Sequence, residues 1–117
     1  MPVKAARARA LALSLDAASE APHFDRAAFR TPRKIFATLA NSGEDINLMF
    51  DGATQEFYCE QAPAVFAPVL GGWGRMGATR CDLKAADEAT LFAALKAAHA
   101  LAAPKPKSRK SVKTRPR

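Results

Sequence analysis

Lys34–Asp51 reads KIFATLANSGEDINLMFD. Two short runs of period two flank a polar connection that contains a glycine. In the first run Ile35, Ala37 and Leu39 share one face, and Phe36 and Thr38 share the other. In the second, Ile46, Leu48 and Phe50 fall on one face. Alternation of this kind on both sides of NSGED predicts a β-hairpin.

Upstream, HFDRAAFR (residues 23–30) has the residue types of a strand, joined to the hairpin by the turn-like RTPR. Phe24 and Phe29 would lie on opposite faces of a regular strand, which predicts an irregularity or an early turn. The three strands would form an antiparallel meander. Residues 3–15 are rich in Ala, Leu, Lys and Arg and predict a helix, which cannot run past Pro22. Downstream of the hairpin, residues 53–61 predict a short helix that ends before Pro63. APAVFAPVLGG reads as a loop, because its prolines argue against a central strand. Residues 75–83 predict a fourth strand. Asp87 is placed to cap a helix over residues 88–102, whose apolar stripe is Leu91, Phe92, Leu95, Ala98, Leu101 and Ala102. His99 lies beside that stripe as a half-buried packing residue. The expected fold is α+β: a single domain, an antiparallel sheet of about four strands with helices on one face, in the order α-β-β-β-α-β-α.

The stretch GGWGRMG holds Gly72, Gly74 and Gly77 in the pattern G-x-G-x-x-G. A dinucleotide fingerprint needs a strand before those glycines and a helix after them. Here a proline-rich loop precedes and a strand-like ATRCDL comes after, so no cofactor is expected. The glycines are read as a sharp turn into the fourth strand, with Trp73 anchoring the loop to the core.

The chain has 117 residues and a formal net charge of +7. The charge is segregated. Of 18 Lys and Arg residues, seven lie in residues 105–117 and face no acid there; the remaining eleven balance the eleven Asp and Glu of residues 1–104. The division is therefore a folded body, residues 1–104, and a basic tail, KPKSRKSVKTRPR, too poor in apolar side chains to order itself. Such a tail suits contact with a polyanion or serves as a solubilising terminus with no specific partner. The apolar run ALALSL is too short for a membrane span, and Asp16 and Glu20 stand where a leader would be cleaved, so a cytoplasmic protein is expected. Cys59 and Cys81 lie far apart in no metal-binding motif; with His23 and His99 as the only histidines, neither a disulfide nor a metal site is expected.

PHFDRAAFRTPRKIFATL, then PAVFAPVLGGWGRMGATRCDL, then AAHALAAPK, in this order and spacing, resemble the MmcQ/YjbR family. The resemblance spans about residues 5–105. It implies a CyaY-like α/β fold and the DNA-binding role with which these small bacterial proteins are usually labelled, without catalytic chemistry. The matching positions are His23, Phe24, Phe29, Lys34, Ile35 and Phe36, and then Pro63, Phe66, Trp73, Gly74, Arg75 and Gly77. One departure stands out: Ala78 occupies a place where the family often has an aromatic ring, typically Trp. The basic tail lies outside the family's core.

These patterns give the candidate functional residues. Arg30, Arg33 and Lys34 gather three cations across a turn; as an exposed ribbon they suit phosphate contact or the major groove, and as a solvated turn they would be balanced by Asp25 and Asp51. Arg75 and Arg80 add to the cationic set. In the tail Lys105, Lys107, Arg109, Lys110, Lys113, Arg115 and Arg117 would supply nonspecific phosphate contacts. His23 beside Asp25 resembles an acid–base pair, but no nucleophile accompanies it; His23 is expected instead to donate a hydrogen bond that fixes the loop after the first helix. The expected function is a non-catalytic DNA-associated protein. The alternative is a module that binds a protein or small ligand at His23, Trp73 and Arg75 or on the sheet face, a reading favoured by the neutral body. No pattern in the sequence bears on oligomeric state.

Overall fold

The computed structural model describes residues 2–103. The basic tail therefore lies outside the described residues. Helix α1 (Ala5–Leu13) leads into strands β1 (Ser19–His23), β2 (Arg26–Arg30), β3 (Ile35–Ala40) and β4 (Asp45–Met49). Helix α2 (Gly52–Gln61), strand β5 (Phe66–Pro68), the single-turn helix α3 (Gly72–Arg75), strand β6 (Ala78–Asp82) and helix α4 (Glu88–Ala102) complete it. The six strands form one antiparallel sheet in the order β1-β2-β3-β4-β6-β5. The class is α+β, as the hairpin reading implies, but with two more strands than expected.

Both additional strands lie at the edges of the sheet, and each carries a proline: Pro22 in β1 and Pro68 in β5. An edge strand needs backbone partners on one side only, so proline's missing N–H is tolerated there, and it blunts pairing with other chains. The prolines correctly exclude a central strand. They do not exclude an edge strand, and the expected loop at Phe66–Pro68 is β5. The expected strand over residues 23–30 opens on the turn of a second hairpin at Phe24 and Asp25, the early turn that Phe24 and Phe29 predict, and continues as β2. His23 pairs with Arg26, and Phe24 bridges them in the left-handed region at φ 59.

Alternation sorts most of the core correctly. Leu39 pairs with Ile46 and Ala37 with Leu48; all four are buried, and α4 lies across β3 and β4 with α1 packed beside it. Phe36 is the exception. A register shift between Phe29 and Arg30 pairs them with Ala37 and Ile35, so Phe36 is the extra residue of a bulge. The bulge turns Phe36 inward, fully buried, with its ring edge-on to His99 of α4 at 5.3 Å. Ile35 consequently turns to the opposite face.

The starts of α2 and α4 are capped by side chains. Asp51 accepts from the Thr54 amide at 2.8 Å and Asp87 from the Thr90 amide at 2.7 Å, the latter as expected from the sequence. These hydrogen bonds hold both carboxyls below the usual carboxylate range. His99 is half-buried and bonds the Asp16 carbonyl at 2.7 Å, tying α4 to the end of α1.

Candidate functional site on the open sheet face

Helices α1 and α4 occupy one face of the sheet. The other face is built from residues that alternate with the core. The pairs His23–Arg26, Ala28–Thr38, Asn47–Arg80 and Met49–Ala78 all project there. Small side chains at Ala28 and Ala78 keep its centre low.

A cleft of about 460 Å³ opens on this face. Its floor is Thr38, Met49 and Ala78; Ile35 and Phe50 line it; Trp73 and Met76 of the α3 segment form one wall. His23 lies on it from β1, and Arg30, Arg33 and Lys34 of the β2–β3 turn close one end. A second depression, about 230 Å³, shares His23, Thr38, Met49, Trp73 and Ala78 with the first and runs on to Phe24, Asp25, Arg26 and Asn47. The two make one groove across the sheet.

The glycine stretch positions its wall. A Cβ on Gly74 would lie 1.7 Å from the Val69 carbonyl oxygen, and one on Gly77 2.0 Å from that of Phe50. Gly77 also has φ +114. Glycine is required at both because backbone segments meet there. Gln55 of α2 clamps the same segment, donating to the carbonyls of Gly74 and Ala78 at 2.9 and 3.0 Å. The expectation that Trp73 anchors the loop to the core is overturned. Trp73 is 66% exposed, and Met76 beside it 78%. The close backbone approach at the glycines and the Gln55 clamp hold the segment, which leaves the indole to face the groove.

The cations divide into two sets. Arg26 and Arg80 are engaged: Asp45 accepts from Arg26 Nη2 at 2.7 Å and from Arg80 Nε at 3.1 Å, and Arg26 Nε donates to Thr38 Oγ1 at 2.9 Å. Arg7 pairs with Glu88, which lowers the Glu88 carboxyl, and Arg9 pairs with Glu20. Among the described residues Arg30, Arg33 and Lys34 have no carboxylate partner. Asp25 and Asp51 do not balance them as the sequence suggested. Arg30 Nε donates to the Thr31 carbonyl at 3.2 Å, and Arg33 Nη2 to the Leu101 carbonyl at 3.0 Å. Thr31 Oγ1 also bonds the Ala102 carbonyl at 2.8 Å. The turn is therefore docked on the C-terminal end of α4 and is not a projecting ribbon.

The structure thus brings His23, Arg30, Arg33, Lys34 and Trp73 to one groove. Arg75 is exposed in α3 and does not line it; Arg80 lies on the same face, held by Asp45. His23 and Asp25 are not two positions of one strand but flank Phe24 in a turn. Among the described residues His23 makes no side-chain hydrogen bond, contrary to expectation, and its ring sits edge-on to Phe24 at 4.9 Å. Sequence reading missed Arg26, Thr38 and Asn47. Their alternation with core residues was the available signal. The thiols lie elsewhere: Cys81 is buried on the helix face, and burial pushes it up to about 12, while Cys59 is half-buried. No group of three metal-ligating side chains and no helix long and apolar enough to cross a membrane occurs among the described residues.

Fold and site define a small α+β protein with an open-faced antiparallel sheet and a groove that is cationic at one end. Residues 13–101 match the YjbR family model, and the chain belongs to that family. A crystal structure of Deinococcus radiodurans protein DR2400, with domain DUF419, is similar to it at a TM-score of 0.66. That likeness covers 81% of this chain and 75% of the other at 14% identity, so it speaks for the fold alone. No curated protein matches the chain.

Proposed function

We propose that the protein is a non-catalytic, cytoplasmic nucleic-acid-binding protein whose open sheet face contacts DNA through phosphates. The observation that carries this reading is the convergence of Arg30, Arg33 and Lys34 at one end of the groove without carboxylate partners among the described residues. Elsewhere on the described surface, ion pairs neutralise Arg7, Arg9, Arg26 and Arg80, while Lys4, Arg75, Lys84 and Lys96, which also lack a carboxylate partner, do not line the groove. Unpaired cations gathered at one end of a groove attract an anionic partner and add affinity that falls with salt. The tail adds weight through its sequence. It begins after Pro104, and α4 ends against the same turn through the bond from Arg33 to Leu101. In the sequence its seven cations follow directly on the end of α4, whose last described turn meets the cationic end of the groove.

A second reading is favoured by Trp73, whose exposed ring on a partly apolar groove also suits a small ligand or a protein segment. A salt-titrated DNA-binding assay separates the two. The full chain should bind with an affinity that falls as salt rises, and residues 1–104 should bind more weakly with a shallower slope. Three body contacts to a single strand correspond to a slope of about −2. Equal affinity of the two chains would remove the tail from the mechanism. No binding by either would refute the nucleic-acid reading.

A further inference from the structure

We propose that the groove seats an unstacked nucleotide of a single strand, the base against Trp73 and its phosphate at Arg30, Arg33 and Lys34, so that the protein prefers single-stranded to duplex nucleic acid. The inference rests on the nucleic-acid reading above. Three features of the groove carry it.

The first is shape. Reading the major groove of a duplex requires an element that enters it, an α-helix or a two-stranded ribbon. The cationic ribbon, the β2–β3 turn, is bonded down onto α4 at Leu101 and Ala102. The cationic end belongs instead to a concavity of about 460 Å³, within the range of small-ligand pockets, roughly 300–1,000 Å³. A paired base within a duplex cannot enter such a concavity; an unpaired one can.

The second is the division of chemistry along the groove. Trp73 and Met76 present exposed apolar surface on one wall, while the unpaired cations stand at one end. A nucleotide has the same division: a flat base with a π-face and an anionic phosphate. An aromatic platform beside a cationic track is how proteins hold single strands without reading duplex sequence.

The third is continuity. The second depression carries the groove onward past Trp73 to Arg26 and Asn47. The half-buried Asn47 amide makes no side-chain hydrogen bond among the described residues, so its donors and acceptor are available to a base edge. Asp25 is the one acid lining that depression and marks where the anionic backbone should turn away.

Trp73 is the chain's only tryptophan, so intrinsic tryptophan fluorescence reports the groove alone. The full chain is titrated with a thymidine oligonucleotide, with a duplex of equal length, and with thymidine monophosphate at one fixed salt concentration. The single strand should quench Trp73 and bind at least about tenfold tighter than the duplex, the scale of one base–aromatic stack. Trp73→Ala, with binding read by anisotropy of a labelled strand, should lose about tenfold for the single strand and leave the duplex unchanged. Ala78→Leu should fill the floor and abolish the preference, read by the same anisotropy; Asn47→Leu, should that variant not fold, should weaken the single strand and leave the duplex unchanged, and equal losses for both forms would overturn the inference. Equal affinity for both forms with Trp73 unquenched overturns this inference and leaves phosphate binding standing. Binding of the monophosphate without the strand also overturns it. Failure of every nucleic acid to bind overturns this inference and the function on which it rests.

Discussion

Asp45 holds two arginines out of play, and its removal should move stability and binding in opposite directions. The carboxylate is 16% exposed and accepts from Arg26 at 2.7 Å and Arg80 at 3.1 Å, side chains 21% and 43% exposed. In Asp45→Asn the shape is kept and the charge lost. A hydrogen bond to a charged group contributes about 1.5–3 kcal/mol when well shielded, and partial exposure reduces this. The two together suggest a loss of about 2 kcal/mol, or a fall in Tm of roughly 10 °C for a domain of this size. Arg26 and Arg80 would then face the open sheet with no carboxylate between them. Two further phosphate contacts on a single strand, at about 0.7 each, would steepen the slope of log affinity against log salt by about 1.4. Thermal unfolding and salt-titrated binding of the full-length variant and parent measure both effects. Lower stability with an unchanged slope would refute the placing of this face against phosphate. Unchanged stability would refute the account of Asp45 as the clamp.

Gly77→Ala should cost about 3 kcal/mol or more by urea unfolding, because its Cβ would meet the Phe50 carbonyl oxygen at 2.0 Å with φ held at +114. Gly52→Ala, where nothing lies within 4 Å, should be neutral or gain a few tenths of a kcal/mol; similar losses at both positions would defeat the argument from close approach. The carboxyls of Asp51, Asp87 and Glu88 are held low, the first two by hydrogen bonds from Thr54 and Thr90 and the third by Arg7. Their folded-state values lie below the unfolded ones, so their stabilisation is complete above about pH 5 and is lost as pH falls through the unfolded and then the folded values. Tm should stay level down to about pH 5 and drop below about 4, and Asp51→Asn with Asp87→Asn should flatten that drop; an identical acid limb in the double variant would contradict the assignment.

Much of the fold is legible in the sequence because local signals agree with tertiary ones. Strand β4 alternates cleanly between a buried and an open face, β3 pairs with it in the expected hairpin, and Asp87 caps α4 in the way its position suggests. The edge strands are illegible for a physical reason: β1 is almost wholly exposed and β5 has three residues, so neither imposes an apolar pattern. The inward turn of Phe36 escapes sequence reading because a bulge is a property of two paired strands, and one strand's sequence does not contain it.

The same division holds at the site. Sequence alone determined the charge segregation and the cluster Arg30, Arg33 and Lys34, both properties of neighbouring residues; the need for glycine at Gly77 comes from the Phe50 backbone, distant in sequence. Sequence could not determine which cations remain unpaired or that Trp73 faces outward. Those outcomes depend on β6 inserting between β4 and β5, which places Arg80 beside Asp45 and sets the α3 segment beside the open face. Asp45 and Arg80 are 35 positions apart and meet only because nonlocal strand pairing brings them together, with the core on the far face holding the sheet in place.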